Sequence, residues 1–282
     1  MKDVNKLNTI YIISKGRPQC STAKVLKKLN YPSWFIVCGT NDETLSEYVD
    51  KWGKDRVIVF DWKKEIETTD TLDNFGFESM PSGATPVRNA TIRISKERGE
   101  SRHWQLDDDY TAFGKFDCQQ NKYIAIKDGQ ELFNEMLAIA NFGHKTGLPN
   151  VGFSLSSEVR PEKVYGFAPR VFNAHNMISD PEKAQFWRGR MNDDLINAIE
   201  VNRRGLREFS FRFLSVNMKP SQQESGGLTD IYREEGTVRK TAYAVLIAPN
   251  AVRLVIKFGR YHHRVNWQLL KPCILNERYR KA

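Results

Sequence analysis

The first sixty residues alternate three short β-rich runs with two helix-like stretches, and that alternation sharply limits what the chain can fold into. The runs are Asn8 to Ser14, Trp34 to Cys38 and Val57 to Phe60. Between them lie Ser21 to Leu29, with Ser21 or Thr22 as its cap, and Asn41 to Trp52. Short apolar runs bounded by turn residues read as strands. Strand–helix–strand repeats close into a parallel sheet with crossover helices. The sequence therefore predicts an α/β fold: a Rossmann-type sandwich with a mainly parallel central sheet and flanking helices. Sheets of this kind bind ligands beyond the carboxyl ends of their strands.

Further along, Asp61 to Ser82 reads as a loop and Pro86 to Gly99 as a helix. Arg102 to Leu106 reads as a strand, Asp128 to Phe142 as a helix and Val151 to Leu155 as a strand. Tyr165 to Met177 suggests a strand pair, or a strand with a turn. Asn192 to Arg204 is a helix capped by Asn192, and Phe209 to Val216 alternates as a strand. Ser221 to Asp230 is a Gly-rich loop, Arg233 to Ala248 a helix and Ala251 to Lys257 a strand. No linker or repeat interrupts the chain, so residues 1–282 are expected to form one domain.

Leu106 is followed by Asp107-Asp108-Asp109, an acidic triplet where a strand leaves the sheet. Three adjacent carboxylates repel one another. A hard divalent cation relieves that conflict, because Mg2+ or Mn2+ takes one or two carboxylates plus substrate phosphates. The alternative is a solvated acidic turn.

The net charge of +9 is unevenly distributed. Residues 1–200 hold 27 Lys/Arg and 28 Asp/Glu, whereas residues 201–282 hold 16 and 6. A basic final third beside a neutral remainder suits a polyanionic partner such as nucleic acid, with a merely soluble basic surface as the alternative. Four scattered cysteines without Cys-x-x-Cys spacing suggest neither a zinc site nor a disulfide frame. Without a long apolar run or an apolar leader, the chain is expected to be soluble and cytoplasmic.

Four further motifs stand out. Ser14-Lys15-Gly16-Arg17-Pro18 is a turn after the first strand, in which Gly allows close backbone approach and Arg can fork onto phosphate. Arg88, Asn89 and Arg93 are placed on a shared helix flank. Asn192-Asp193-Asp194 opens a helix, where one carboxylate suits the dipole and the other can serve as a general base or as an acceptor contact. Tyr261-His262-His263-Arg264 offers imidazoles as Mn2+ ligands, although adjacent His are commonly surface or packed residues.

In this order the motifs resemble GT-A glycosyltransferases. Ser-Lys-Gly-Arg-Pro, Val-Cys-Gly after the second strand, Arg88-Asn89 and Trp-Gln-Leu-Asp-Asp-Asp are similar to the TET-associated glycosyltransferases, over about residues 9–115. That resemblance implies a GT-A-like domain with a nucleotide-sugar-binding half (1–115) and an acceptor half (116–282) ending in a basic elaboration. It implies transfer of a sugar from a UDP-sugar, with Mn2+ or Mg2+, to the hydroxymethyl group of a modified pyrimidine, hydroxymethylcytosine or hydroxymethyluracil, in phage DNA.

By the same resemblance, Ser14, Gly16, Arg17, Gly39, Arg88, Asn89, Arg93, Asp107 and Asp108 bind the nucleotide sugar. Asp109 and His262 (or His263) hold the metal. Asp193 or Asp194 is the catalytic carboxylate on an inverting route, or an acceptor or sugar contact on a retaining one, and Gly226 and Gly227 belong to an acceptor loop. Because the target base is buried in a duplex, the acceptor must be flipped out or single-stranded; Phe186, Trp187 or Trp267 would stack on it. Two other classes share parts of the pattern. A nucleotidyltransferase would release pyrophosphate, and a non-catalytic DNA-binding protein would have no use for the triplet.

Overall fold

The computed structural model describes residues 4–72, 83–155, 165–166, 171, 173–218, 229–257 and 259–271. The elements are β1 (Ile10–Ile13), α1 (Ser21–Leu29), β2 (Trp34–Gly39), α2 (Leu45–Trp52), β3 (Val57–Phe60), α3 (Trp62–Thr68), α4 (Ala84–Glu97) and β4 (Arg102–Asp107). Then follow β5 (Tyr110–Asp117), β6 (Lys122–Ala125), α5 (Gly129–Thr146), β7 (Asn150–Leu155), β8 (Tyr165–Gly166) and β9 (Ala174–Ile178). The chain continues through α6 (Asp193–Arg203), β10 (Glu208–Met218), α7 (Thr229–Ile247), β11 (Val252–Lys257) and β12 (Arg260–Val265).

One sheet runs β3-β2-β1-β4-β9-β7-β10-β5-β6, with β8 paired to β10. β3, β2, β1 and β4 are all mutually parallel. β9 is antiparallel to both β4 and β7, β10 is parallel to β7, and β5 runs antiparallel to β10. Most strands on this path thus share one direction, as expected for a GT-A-like α/β fold. β1 shows how the layers form. Ile10 and Ile12 face a core shared with α1, α2 and α5. Tyr11 and Ile13 face a second core closed by Phe60, Trp62, Val87 and Ala90. Alternate residues of a strand point to opposite faces, so a four-residue run buried throughout requires helices on both sides.

Buried polar contacts lock α4 onto β4. Gln105 Nε2 donates to Arg88 O at 3.0 Å and to Thr91 Oγ1 at 2.8 Å. His103 hydrogen-bonds through its imidazole nitrogens to the Thr91, Ser95 and Ser179 hydroxyls. Burial pushes His103 down to about 3, so the imidazole is a neutral part of the core.

Several sequence expectations need correction. Asp61 to Ser82 is not simply a loop: Asp61 caps α3 by accepting from Lys64 N at 3.2 Å, while 73–82 lie outside the described residues. Neither Ser21 nor Thr22 caps α1. The cap position is Cys20, without a side-chain cap bond, because the Thr22 hydroxyl is used elsewhere. β8 and β9 do not pair with each other; they pair with β10 and with β4 and β7. β5, β6 and β12 are additional strands. Among the described residues, no helix is long and apolar enough to cross a membrane.

Candidate active site

Parallel pairing of β1 with β4 places Ile13 opposite Asp107, so the turn after β1 and the acidic triplet emerge side by side. Gly16 makes that turn at a φ of 66°, a left-handed conformation that favours glycine. Its N–H donates to Asp42 Oδ2 at 2.9 Å. The Ser14 hydroxyl donates to Asp108 Oδ2 at 2.6 Å, and Arg17 Nη1 reaches Asp108 Oδ1 at 3.0 Å. Tyr48 Oη pairs with Ser14 Oγ at 2.6 Å and accepts from Arg17 N at 2.8 Å. Thr22 fixes the acidic turn itself, donating to Asp107 O at 2.6 Å and accepting from Tyr110 N at 3.0 Å.

The three carboxylates are therefore not equivalent. Asp108 is buried and held by Ser14 and Arg17, which makes it a brace for the turn. Asp107 accepts from Arg88 Nη2 at 2.9 Å and remains partly exposed. Asp109 has a buried Oδ1 without a hydrogen-bond partner. Burial, then the charges of Asp107 and Asp108, push Asp109 up to about 7. Asp107 is also raised, mainly by burial.

Arg88 sits at the centre of the opposite wall. Its Nε donates to Asp193 Oδ2 at 2.8 Å, its guanidinium lies 4.7 Å from the Trp187 ring centroid, and its buried Nη1 has no partner. Asp194 Oδ1 accepts from Leu195 N at 2.7 Å, and burial beside Asp193 raises its pKa. Asn192 occupies the cap position of α6, but its side chain donates to Lys240 O at 2.6 Å instead of capping.

Ser14, Arg17, Arg88, Asp107, Asp108, Asp109 and Asp193 thus meet at one sheet edge. Gly39 ends β2 at the same edge, where an added Cβ would come 3.2 Å from both the Phe60 and Trp62 rings. Other candidates do not join them. Arg93 turns away from Arg88, binding Glu65 and Thr68 of α3 and lying 4.9 Å over the Phe186 ring. The shared flank expected for Arg88, Asn89 and Arg93 is therefore corrected, since a step of five residues rotates the side chain well off the flank. Asn89 grips the backbone of Trp187, donating to its O at 3.1 Å and accepting from its N at 2.8 Å. Trp187 is fully buried between Arg88 and His175, which leaves no ring face for a base. Trp267 packs into the cluster of α6, α7 and β11.

His262 and His263 lie on β12, which pairs with β11 as a separate two-stranded sheet. Among the described residues, no group of three or more His, Cys, Asp or Glu is arranged to hold a metal ion. The donor set nonetheless suits a divalent cation that keeps ligands from substrate. Asp109 supplies an unmatched buried carboxylate oxygen, and Asp107 supplies a second carboxylate. Gly226 and Gly227 lie outside the described residues. Thr22, Asp42 and Tyr48 were missed from sequence; each acts through partners far along the chain.

No curated protein matches the chain. The family model of the TET-Associated Glycosyltransferases matches residues 8–227, spanning β1 through the acidic turn, Arg88 and α6. The chain belongs to the TET-associated glycosyltransferase family.

Proposed function

We propose that this glycosyltransferase moves a sugar from a UDP-sugar, with the help of Mn2+ or Mg2+, to the hydroxymethyl group of a modified pyrimidine in DNA. One observation carries this reading. Two unmatched buried groups of opposite charge flank Asp107: Asp109 Oδ1, which wants a cation, and Arg88 Nη1, which wants an anion. A metal–diphosphate satisfies both, and buried polar groups without partners are otherwise costly.

The bound cation would act as a Lewis acid, offsetting the charge that builds on the departing nucleoside diphosphate. Asp109 and Asp107 would hold it. Arg88 presents its spare N–H to a phosphate oxygen, kept in place by Asp107, Asp193 and the Trp187 ring. Gly16 and Arg17 would lie against the nucleoside, with Tyr48 and Ser14 fixing the turn beneath them. Asp193 is taken up by Arg88, so Asp194, whose pKa is raised by burial, is the carboxylate assigned to accept the proton of the acceptor hydroxyl. A metal role for His262 or His263 belongs to the same proposal and requires β12 to contribute to this edge; His263 lies on the face of the hairpin opposite Arg260 and Arg264.

The test is product analysis with hydroxymethylcytosine- and hydroxymethyluracil-containing DNA across a panel of UDP-sugars and Mn2+. DNA-dependent release of UDP supports the reading. Pyrophosphate release would assign nucleotidyl transfer instead.

A further inference from the structure

The β11–β12 hairpin lies beyond the region matched by the family model. Its register puts two like-charged pairs directly opposite each other, Arg253 with Arg264 and Lys257 with Arg260. The period of two places all four on one face. Directly opposed like charges destabilise a β-ladder, and a two-stranded hairpin has little stability to spare. All four side chains are exposed, and among the described residues Arg253, Arg260 and Arg264 have no carboxylate partner. The two pairs are four residues apart along β11, roughly 13 Å at the rise of a strand. The major groove of duplex DNA is about 12 Å wide and admits a two-stranded β-ribbon.

The root of the hairpin is tied to the active site. Val252 and Val265 pack with Leu195 and Ile199 of α6, the helix whose first residue, Asp193, binds Arg88. The hairpin therefore projects from the element that supplies the candidate acceptor carboxylates. Towards its tip the opposite face is apolar and open, with Ile256 74% exposed.

We propose that this hairpin is a duplex-DNA docking element, its four basic side chains bridging phosphates on either side of the major groove; the inference rests on DNA being the acceptor. The test is fluorescence anisotropy of a labelled hydroxymethylcytosine duplex across a salt series, without donor. The wild type is compared with an Arg253→Gln/Lys257→Gln/Arg260→Gln/Arg264→Gln variant. A second variant, Lys27→Gln/Lys28→Gln/Lys51→Gln, removes charge from the lysine groove around Trp52, the rival basic surface.

The salt slope changes by about 0.9 per phosphate contact, so the hairpin variant should lose roughly three to four units of slope. It should melt no lower than the wild type, since the like-charge conflicts are gone. An unchanged slope, or a loss seen only in the lysine-groove variant, would overturn the inference while leaving DNA as the acceptor. A wild type that binds hydroxymethylated single strands but shows no salt-dependent duplex binding would likewise overturn the inference alone, and one that binds neither form would overturn both.

Discussion

Arg88 and Asp193, 105 residues apart in sequence, are joined at 2.8 Å in the buried wall of the candidate site. The same guanidinium holds Asp107 at 2.9 Å, so one side chain ties α4 to β4 and to α6. Breaking a buried ion pair from one side leaves an uncompensated charge, at about 3–5 kcal/mol. Arg88→Met is expected to destabilise the protein by that order in urea unfolding. Adding Asp193→Leu should recover part of the loss, and a double-mutant cycle measures the coupling.

Tyr48 reports on the turn that carries Arg17. Tyr48→Phe deletes the hydroxyl that pairs with Ser14 and accepts from Arg17 N. The expected loss is about 1 kcal/mol of stability per hydrogen bond. On the proposed function, the KM for the nucleotide sugar should rise more than kcat falls, because Tyr48 would position the turn assigned to the nucleoside without touching the reacting atoms.

Glu208 gives the fold a defined pH dependence. It is buried, accepts from Asn150 Nδ2 at 2.8 Å and from Val171 N at 2.9 Å, and burial pushes its carboxyl up to about 8. The unfolded chain ionises this group near the ordinary carboxylate pKa, while the folded chain holds it protonated. Its contribution is therefore fully present at low pH and is lost as pH rises from about 4.5 through about 8. Glu208→Gln mimics the protonated form, so its stability relative to wild type should climb by up to one proton's slope across that window. Parallel profiles would refute the assignment.

Asp108 separates structure from chemistry within the triplet. Asp108→Asn removes the ion pair between Asp108 and Arg17 and weakens the bond from Ser14. It should lower the melting temperature, whereas Asp109→Asn should hold or raise it, because Asp109 Oδ1 makes no hydrogen bond and suffers charge repulsion. Thermal unfolding of the two variants side by side checks this.

The parallel half of the sheet was legible because β1, β2 and β3 are short, β-rich and spaced by two helices with an apolar stripe. β5 was not. Its buried residues are Tyr110, Phe113 and Phe116, spaced by three, so it lacks the alternation that marks a strand. α3 spans seven residues, too short to show a helical period, and only the Asp61 cap betrays it. β12 has no buried face to pattern, since both of its sides are at least partly exposed. At the site, the acidic triplet and Arg88 stood out by composition and order. The division of labour among the three aspartates did not, because it depends on Ser14, Arg17 and Arg88, brought to the triplet only by the β1–β4 pairing and the α4 packing. Trp187 misled for a related reason: an aromatic pair followed by two arginines reads as a stacking surface until its burial is known.

The central claim is that Asp109 holds a cation that works with Arg88 on a diphosphate. The most direct measurement is UDP release with Mn2+ and hydroxymethylated DNA, comparing wild type with Asp109→Asn at matched folding. The account predicts a loss of about 10²–10³-fold in kcat, the scale for removing a preorganised electrostatic contact, with the cooperative melt retained. Full UDP release by a folded Asp109→Asn protein would contradict it.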